Sequence, residues 1–195
     1  MREKMEKPFT YKTACAAVVF TALFAVGVLI GGRYAGMADT DVGLNTVLSL
    51  SSLNSADGSL PRVYSTFLFD HIFYLLIVFL FGMTFLGTVV IPVTVALKGL
   101  TIGISFSYLL LFEGNAVYLQ KWLAYLPAAL CVAVFILFSA YAYSVSLKFC
   151  GVLQNKEAAA VSLKGYGLLF IFILLILAAA GAVHCILNPL SAILF

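Results

Sequence analysis

Asp70 and His71 stand side by side in an otherwise apolar stretch, and a carboxylate next to an imidazole is the raw material of general acid–base chemistry. Adjacent residues point about 100° apart on a helix, so the two do not converge on one reacting atom. His184 is the only other histidine, and neither histidine has a cysteine or a second histidine at metal-ligand spacing. The four cysteines, Cys15, Cys131, Cys150 and Cys185, form no C-x-x-C pair. Cys15, Cys131 and Cys185 lie in apolar runs, where cysteine behaves as a small hydrophobe, and Cys150 falls in an expected cytoplasmic loop, which is reducing. The sequence contains no glycine-rich loop followed by Lys-Ser/Thr and no G-x-S-x-G turn. On these grounds no catalytic residue, no metal and no cofactor is expected, and the chain is read as non-enzymatic.

Lys98 is the residue whose place most needs explaining. It stands in the middle of an apolar segment, residues 88–112. A lysine at the centre of a membrane helix costs about 2.5–3.5 kcal/mol on insertion scales, and such residues face a bundle interior or a watery cavity. Snorkelling is strained, because Lys98 lies about 15 Å from the inner end and its side chain covers about half of that. Pro92 removes a backbone donor six residues earlier, and Gly99 and Gly103 allow a second backbone to approach. Two forms accommodate this stretch: a kinked spanning helix with Lys98 turned inward, or a re-entrant half-helix over residues 88–96. Asp70 is the obvious partner, but with the second span placed at residues 67–86 it lies only three residues below the outer surface. Straight helices would then separate the two charges by more than about 10 Å in depth. Asp70 and His71 are therefore expected as an interfacial polar pair, and His184 as an outer-interface histidine before Asn188 and Pro189.

The elements that must carry these residues are set by solvent. Hydrophobic residues make up 64% of the 195 and charged residues 10%, where a soluble domain has about 25% charged. The mean hydropathy is +1.12. So much apolar surface has no place in water but is the natural exterior of a protein in lipid. Crossing the hydrocarbon core takes about 20 apolar residues. Residues 13–32, 67–86, 88–112, 122–147 and 166–186 meet this, which predicts an all-α bundle of about five transmembrane helices in one membrane domain. Residues 33–65 are too polar to span and read as an outer loop. The first segment is longer than a signal-peptide core and is read as a retained helix.

Basic residues set the orientation. With the N-terminus inside, Arg2, Lys4, Lys7, Lys12, Lys148, Lys156 and Lys164 are cytoplasmic, against Arg33, Arg62 and Lys121 outside. Five crossings then put the C-terminus outside. Tyr34, Tyr64, Tyr118 and Trp122 fall near the outer ends, where amphipathic rings favour the headgroup level. Gly27-x-x-x-Gly31 and Gly99-x-x-x-Gly103 have the small-xxx-small spacing of closely packed helices, and residues 178–182, Gly181 among them, form a third small-residue patch. These seams serve internal packing or a partner, a homo-oligomer included. No basic run with interleaved aromatics points to nucleic acid.

Residues 81–112, "FGMTFLGTVVIPVTVALKGLTIGISFSYLLLF", resemble the stage II sporulation protein M family of membrane proteins. The resemblance rests on Gly82, Gly87, Pro92, Lys98, Gly99 and Gly103, on the basic N-terminus, helix and outer loop ahead of a close set of helices, and on Pro127, Gly181 and Pro189 further on. The family often has Pro-Gln-Asn where this chain has Pro127-Ala128-Ala129, and an acidic residue in the last helix where this chain has His184. What the resemblance implies is a plasma-membrane scaffold that anchors and localises cell-wall hydrolases, resembling stage II sporulation proteins D and P, at the septum during engulfment. A membrane subunit of a transporter or channel is the alternative, motivated by Lys98 beside a broken helix.

Overall fold

A computed structural model describes residues 11–37, 60–112, 114–153 and 163–194, all of them helical apart from the short turn at 83–86. Five helices follow in order: α1 (Tyr11–Met37), α2 (Leu60–Gly82), α3 (Gly87–Phe112), α4 (Gly114–Leu153) and α5 (Leu163–Leu194). A backbone in hydrocarbon must satisfy its own hydrogen bonds, and a helix does so within one segment. Four of the five contain apolar spans long enough to cross a membrane, Thr13–Ala35, Gly87–Ser107, Leu126–Cys150 and Leu163–Leu187. The apolar part of α2 is shorter, Phe67–Gly82. The chain is thus a polytopic helical membrane bundle.

Several helices outrun the segments expected from apolarity alone. Polar residues near an interface do not end a helix, because they keep their backbone bonds while their side chains reach water or headgroups. So α1 and α2 take both ends of the expected outer loop, and what remains of it, residues 38–59, lies outside the described residues. The outer segment expected around residues 113–121 is, from Gly114 onward, the start of the 40-residue α4. Cys150 belongs to the end of α4 rather than to a loop. The expected cytoplasmic segment around Lys156 lies outside the described residues.

Helix α4 is the hub, packed against all four others, while α1 packs on α3 and α4, and α2 packs on α3, α4 and α5. The centre holds Leu75, Val78, Ile91, Val95, Phe138 and Tyr166, all buried. The outward faces carry Val18, Leu29, Phe69, Val89, Leu168 and Phe172, all exposed. Both sides of each helix are therefore apolar, as expected for a helix packed on protein on one side and on lipid on the other.

The seam between α1 and α3 is made by the two glycine pairs. A Cβ at Gly27 would overlap the Ala96 carbonyl, and one at Gly31 would overlap that of Leu100. Reciprocally, a Cβ at Gly99 would strike the Phe24 carbonyl and one at Gly103 that of Val28. Both helices present bare backbone to each other, which maximises dispersion contact where no hydrophobic effect is available to join them.

At the other end of α3, the α2–α3 turn is held from two sides. The Tyr166 hydroxyl donates to the Phe79 carbonyl at 3.1 Å and lies over Gly82, where a side chain would displace it. Ser146 on α4 donates to the Thr84 carbonyl at 2.7 Å and lies against Gly87. Gly181 on α5 receives the rings of Tyr64 and Phe67 from α2.

Helix α3 is continuous from Gly87 to Phe112, with Pro92 inside it. Of the two expected forms, the spanning helix with an inward Lys98 is the one observed, and the re-entrant half-helix is not. Pro92 falls within the second turn, where its missing N–H costs the Thr88 carbonyl one bond and leaves the rest of the helix intact.

Candidate functional site

The polar centre of the bundle is built on α2 and α3. Lys98 is 2% exposed, and its ammonium donates to Asp70 Oδ2 at 2.5 Å. It also reaches the Asp70 backbone carbonyl at 3.4 Å and lies over the Tyr74 ring, 4.7 Å from the centroid. Carboxylate, carbonyl and ring face together replace much of the hydration that the cation gave up.

This meeting corrects the expected separation of Asp70 and Lys98. The error came from where α2 begins. Its apolar run starts at Phe67, but the helix starts at Leu60, so Asp70 is halfway along it rather than near its outer end. Counted from the turn, Asp70 is twelve residues up from Gly82 and Lys98 eleven residues up from Gly87. Both therefore stand about 17–18 Å above the turn, at one depth. Asp70 is not an interfacial residue.

His71 points back along α2 to the Phe67 carbonyl, with Asp70 at the edge of its reach. Its Nδ1 lies 2.9 Å from the Phe67 carbonyl and 3.8 Å from Asp70 Oδ2. Its ring stacks on Phe67 with centroids 4.5 Å apart, and His184 from α5 stacks on the same phenylalanine at 4.7 Å. Phe67 thus joins both histidines, and through them α2 to α5. His184 is buried, not presented to the headgroups as expected. The apolar ring of Phe67 offers an imidazole a partner inside the bundle, which the residues flanking His184 in sequence gave no sign of.

Tyr74 and Phe67 were not singled out from the sequence. The signal for Tyr74 was available: it follows Asp70 by four residues and so shares its helical face. Phe67 bears no such mark, since its role depends on a residue more than a hundred positions away. Every buried side-chain nitrogen and oxygen among the described residues has a hydrogen-bond partner. No group of three or more His, Cys, Asp or Glu side chains that could hold a metal is found among the described residues.

The remaining expected site residues are those of the packing seams: Gly27 and Gly31 against Gly99 and Gly103, Gly82 and Gly87 at the clamped turn, and Gly181 beneath Tyr64 and Phe67. In comparisons with known proteins, no family model, no curated protein and no solved structure matches this chain.

Proposed function

We propose that this protein is a non-enzymatic, multi-pass scaffold of the plasma membrane, with a cytoplasmic N-terminus and an extracytoplasmic C-terminus, that anchors peptidoglycan-degrading proteins at the septum during sporulation engulfment. The observation that carries the reading is where the residues of the family resemblance fall. Gly99 and Gly103 lock α3 to α1, Lys98 ties α3 to α2, and Gly82 and Gly87 seat the turn against α4 and α5. The residues that define the resemblance are spent on making one rigid membrane body, and rigidity is what an anchor has to supply. The partners, by the same resemblance, are hydrolases like stage II sporulation proteins D and P.

The test is replacement of residues 38–59 by a Gly/Ser linker in cells that carry a fluorescent cell-wall hydrolase. Loss of septal recruitment, with the variant still inserted in the membrane, is the expected result. Normal recruitment removes that segment from the anchoring role, and normal recruitment in cells lacking the whole protein removes the role itself.

A second reading, a transporter or channel subunit, draws on the charge pair at mid-depth, since ionisable residues there commonly mark transport paths. Solute or ion flux through the purified protein in vesicles, lost on Lys98→Met, would favour it. Absent flux together with mislocalised hydrolase favours the scaffold.

A further inference from the structure

Asp70 is only half answered by Lys98. Its Oδ2 takes the ammonium, while the side chain remains 30% exposed on the outside of the bundle. The side-chain contacts of Asp70 among the described residues, to Lys98 and to His71, fall on Oδ2 and leave Oδ1 on the open side. Asp70 is at the depth of Lys98, which is the twelfth residue of the 21-residue span Gly87–Ser107. That puts Oδ1 near the bilayer middle, where lipid tails offer no donor and an unsatisfied polar atom is costly.

Beside Asp70 runs an exposed ridge of α2: Phe69, Phe73, Leu76 and Leu80. The spacing of four, three and four residues is that of a helix-packing seam, which lets one further helix lie along it at a shallow crossing angle. Phe69 and Phe73 lie next to each other on it, with ring centroids 6.4 Å apart. Asp70 lies about 60° round the helix from Phe73, on the shoulder between this ridge and the side that faces Lys98.

We propose that this ridge seats a single transmembrane helix of a partner protein, and that the partner carries a neutral hydrogen-bond donor, an amide side chain, at mid-depth opposite Asp70. The amide is favoured over a cation because the Asp70–Lys98 pair is already neutral, and a second buried cation would arrive unpaired. A second copy of this chain is a poor occupant. Two such ridges joined about a twofold axis bring two carboxylates to one depth and supply no donor. The inference deepens the anchoring reading: it rests on the partner's being a membrane-anchored protein and names the surface that holds it.

The full-length protein, fluorescently labelled in lipid bicelles, tests this against a labelled polyleucine transmembrane helix with one central glutamine. The same helix without the glutamine is the comparison. The glutamine helix is expected to bind about three- to thirtyfold more tightly, the range for one interhelical hydrogen bond in a membrane. That advantage should vanish in the neutral double variant Asp70→Leu with Lys98→Met. Phe73→Ala with Leu76→Ala, checked by unchanged thermal unfolding, should weaken binding, while Phe172→Ala with Leu175→Ala on the exposed face of α5 should not. Equal binding of the two helices, no binding of either, a glutamine advantage that survives loss of Asp70, or energy transfer between two copies of the protein that the ridge change abolishes would each overturn the proposal. These results are independent of hydrolase recruitment in cells, so either proposal can fail while the other stands.

Discussion

A lysine ammonium in the middle of a membrane is tolerated only when its charge is answered at its own depth, and Asp70 does this for Lys98. The two partners are not equivalent. Lys98 is almost wholly enclosed, whereas Asp70 keeps an open edge. Removing Asp70 therefore strands a cation in a closed site, at the upper end of the about 3–5 kcal/mol that a broken buried pair costs. Removing Lys98 strands a carboxylate whose open edge faces lipid tails, which is costly as well. Asp70→Leu and Lys98→Met should each destabilise the purified protein, and the double variant should recover most of the loss, as read from thermal or denaturant unfolding in detergent. A double variant no better than either single one would show that the pair is not what holds these helices in register. The sequence made Lys98 legible as an inward-facing residue because a charge in an apolar run has few other solutions. Its partner was misjudged because depth was counted from the first apolar residue of α2, and Pro61, Arg62, Tyr64 and Ser65 hid about two turns of helix.

At the scale of the helix, the interlocked glycines and the polar α2 make different demands on assembly. Each glycine of the α1–α3 seam faces a backbone carbonyl rather than a movable side chain, so a larger residue there can be relieved only by parting the helices. Gly103→Leu should cost at least about 2–3 kcal/mol, the upper range for overpacking a close contact. Gly167, which has open space around it, should accept alanine with no packing loss, and the same unfolding measurement compares the two. Helix α2 poses an insertion problem. Its apolar part, Phe67–Gly82, is 16 residues and carries both Asp70 and His71, short of the about 20 that cross unaided. The tight turn and the charge pair make α2 and α3 one hairpin that can enter the membrane with its charges already neutralised. In a glycosylation-reporter insertion assay, α2 alone should insert poorly and the α2–α3 hairpin well, and Lys98→Leu within the hairpin should reduce insertion of α2. Efficient insertion of α2 alone would make the pair irrelevant to assembly. The glycine pairs were legible as seams from their spacing, but nothing in that spacing said that the two pairs pack on each other.

For the molecule as a whole, composition was decisive about class because it bears on solvent, and solvent governs every exterior residue at once. An all-helical membrane bundle follows from 64% hydrophobic residues in runs of span length, whatever the side chains do individually. Helix ends were less legible, since apolarity reports where lipid stops and not where the helix does: α4 runs 40 residues around a 25-residue apolar span. The same distinction bears on the number of crossings, which decides where the termini lie. Judged by apolar length, α2 could be set aside and four crossings would return the C-terminus to the side of the N-terminus. The structure weighs against that count. Helix α2 runs back along α3 from a short turn, and Asp70 meets Lys98 halfway up α3, so α2 climbs as far as α3 does. Five crossings, the count proposed for this chain, would separate the termini. On the proposed orientation, the basic residues Lys12, Lys148 and Lys164 near the helix ends on the N-terminal side put that side in the cytoplasm. A fluorescent protein that matures only in the cytoplasm should glow when fused before Tyr11. Alkaline phosphatase, active only outside, should work when fused after Phe195 and fail when fused after Leu153. Phosphatase activity at both Phe195 and Leu153, or at neither, would mean that the bundle crosses the membrane differently from the way its helices are paired.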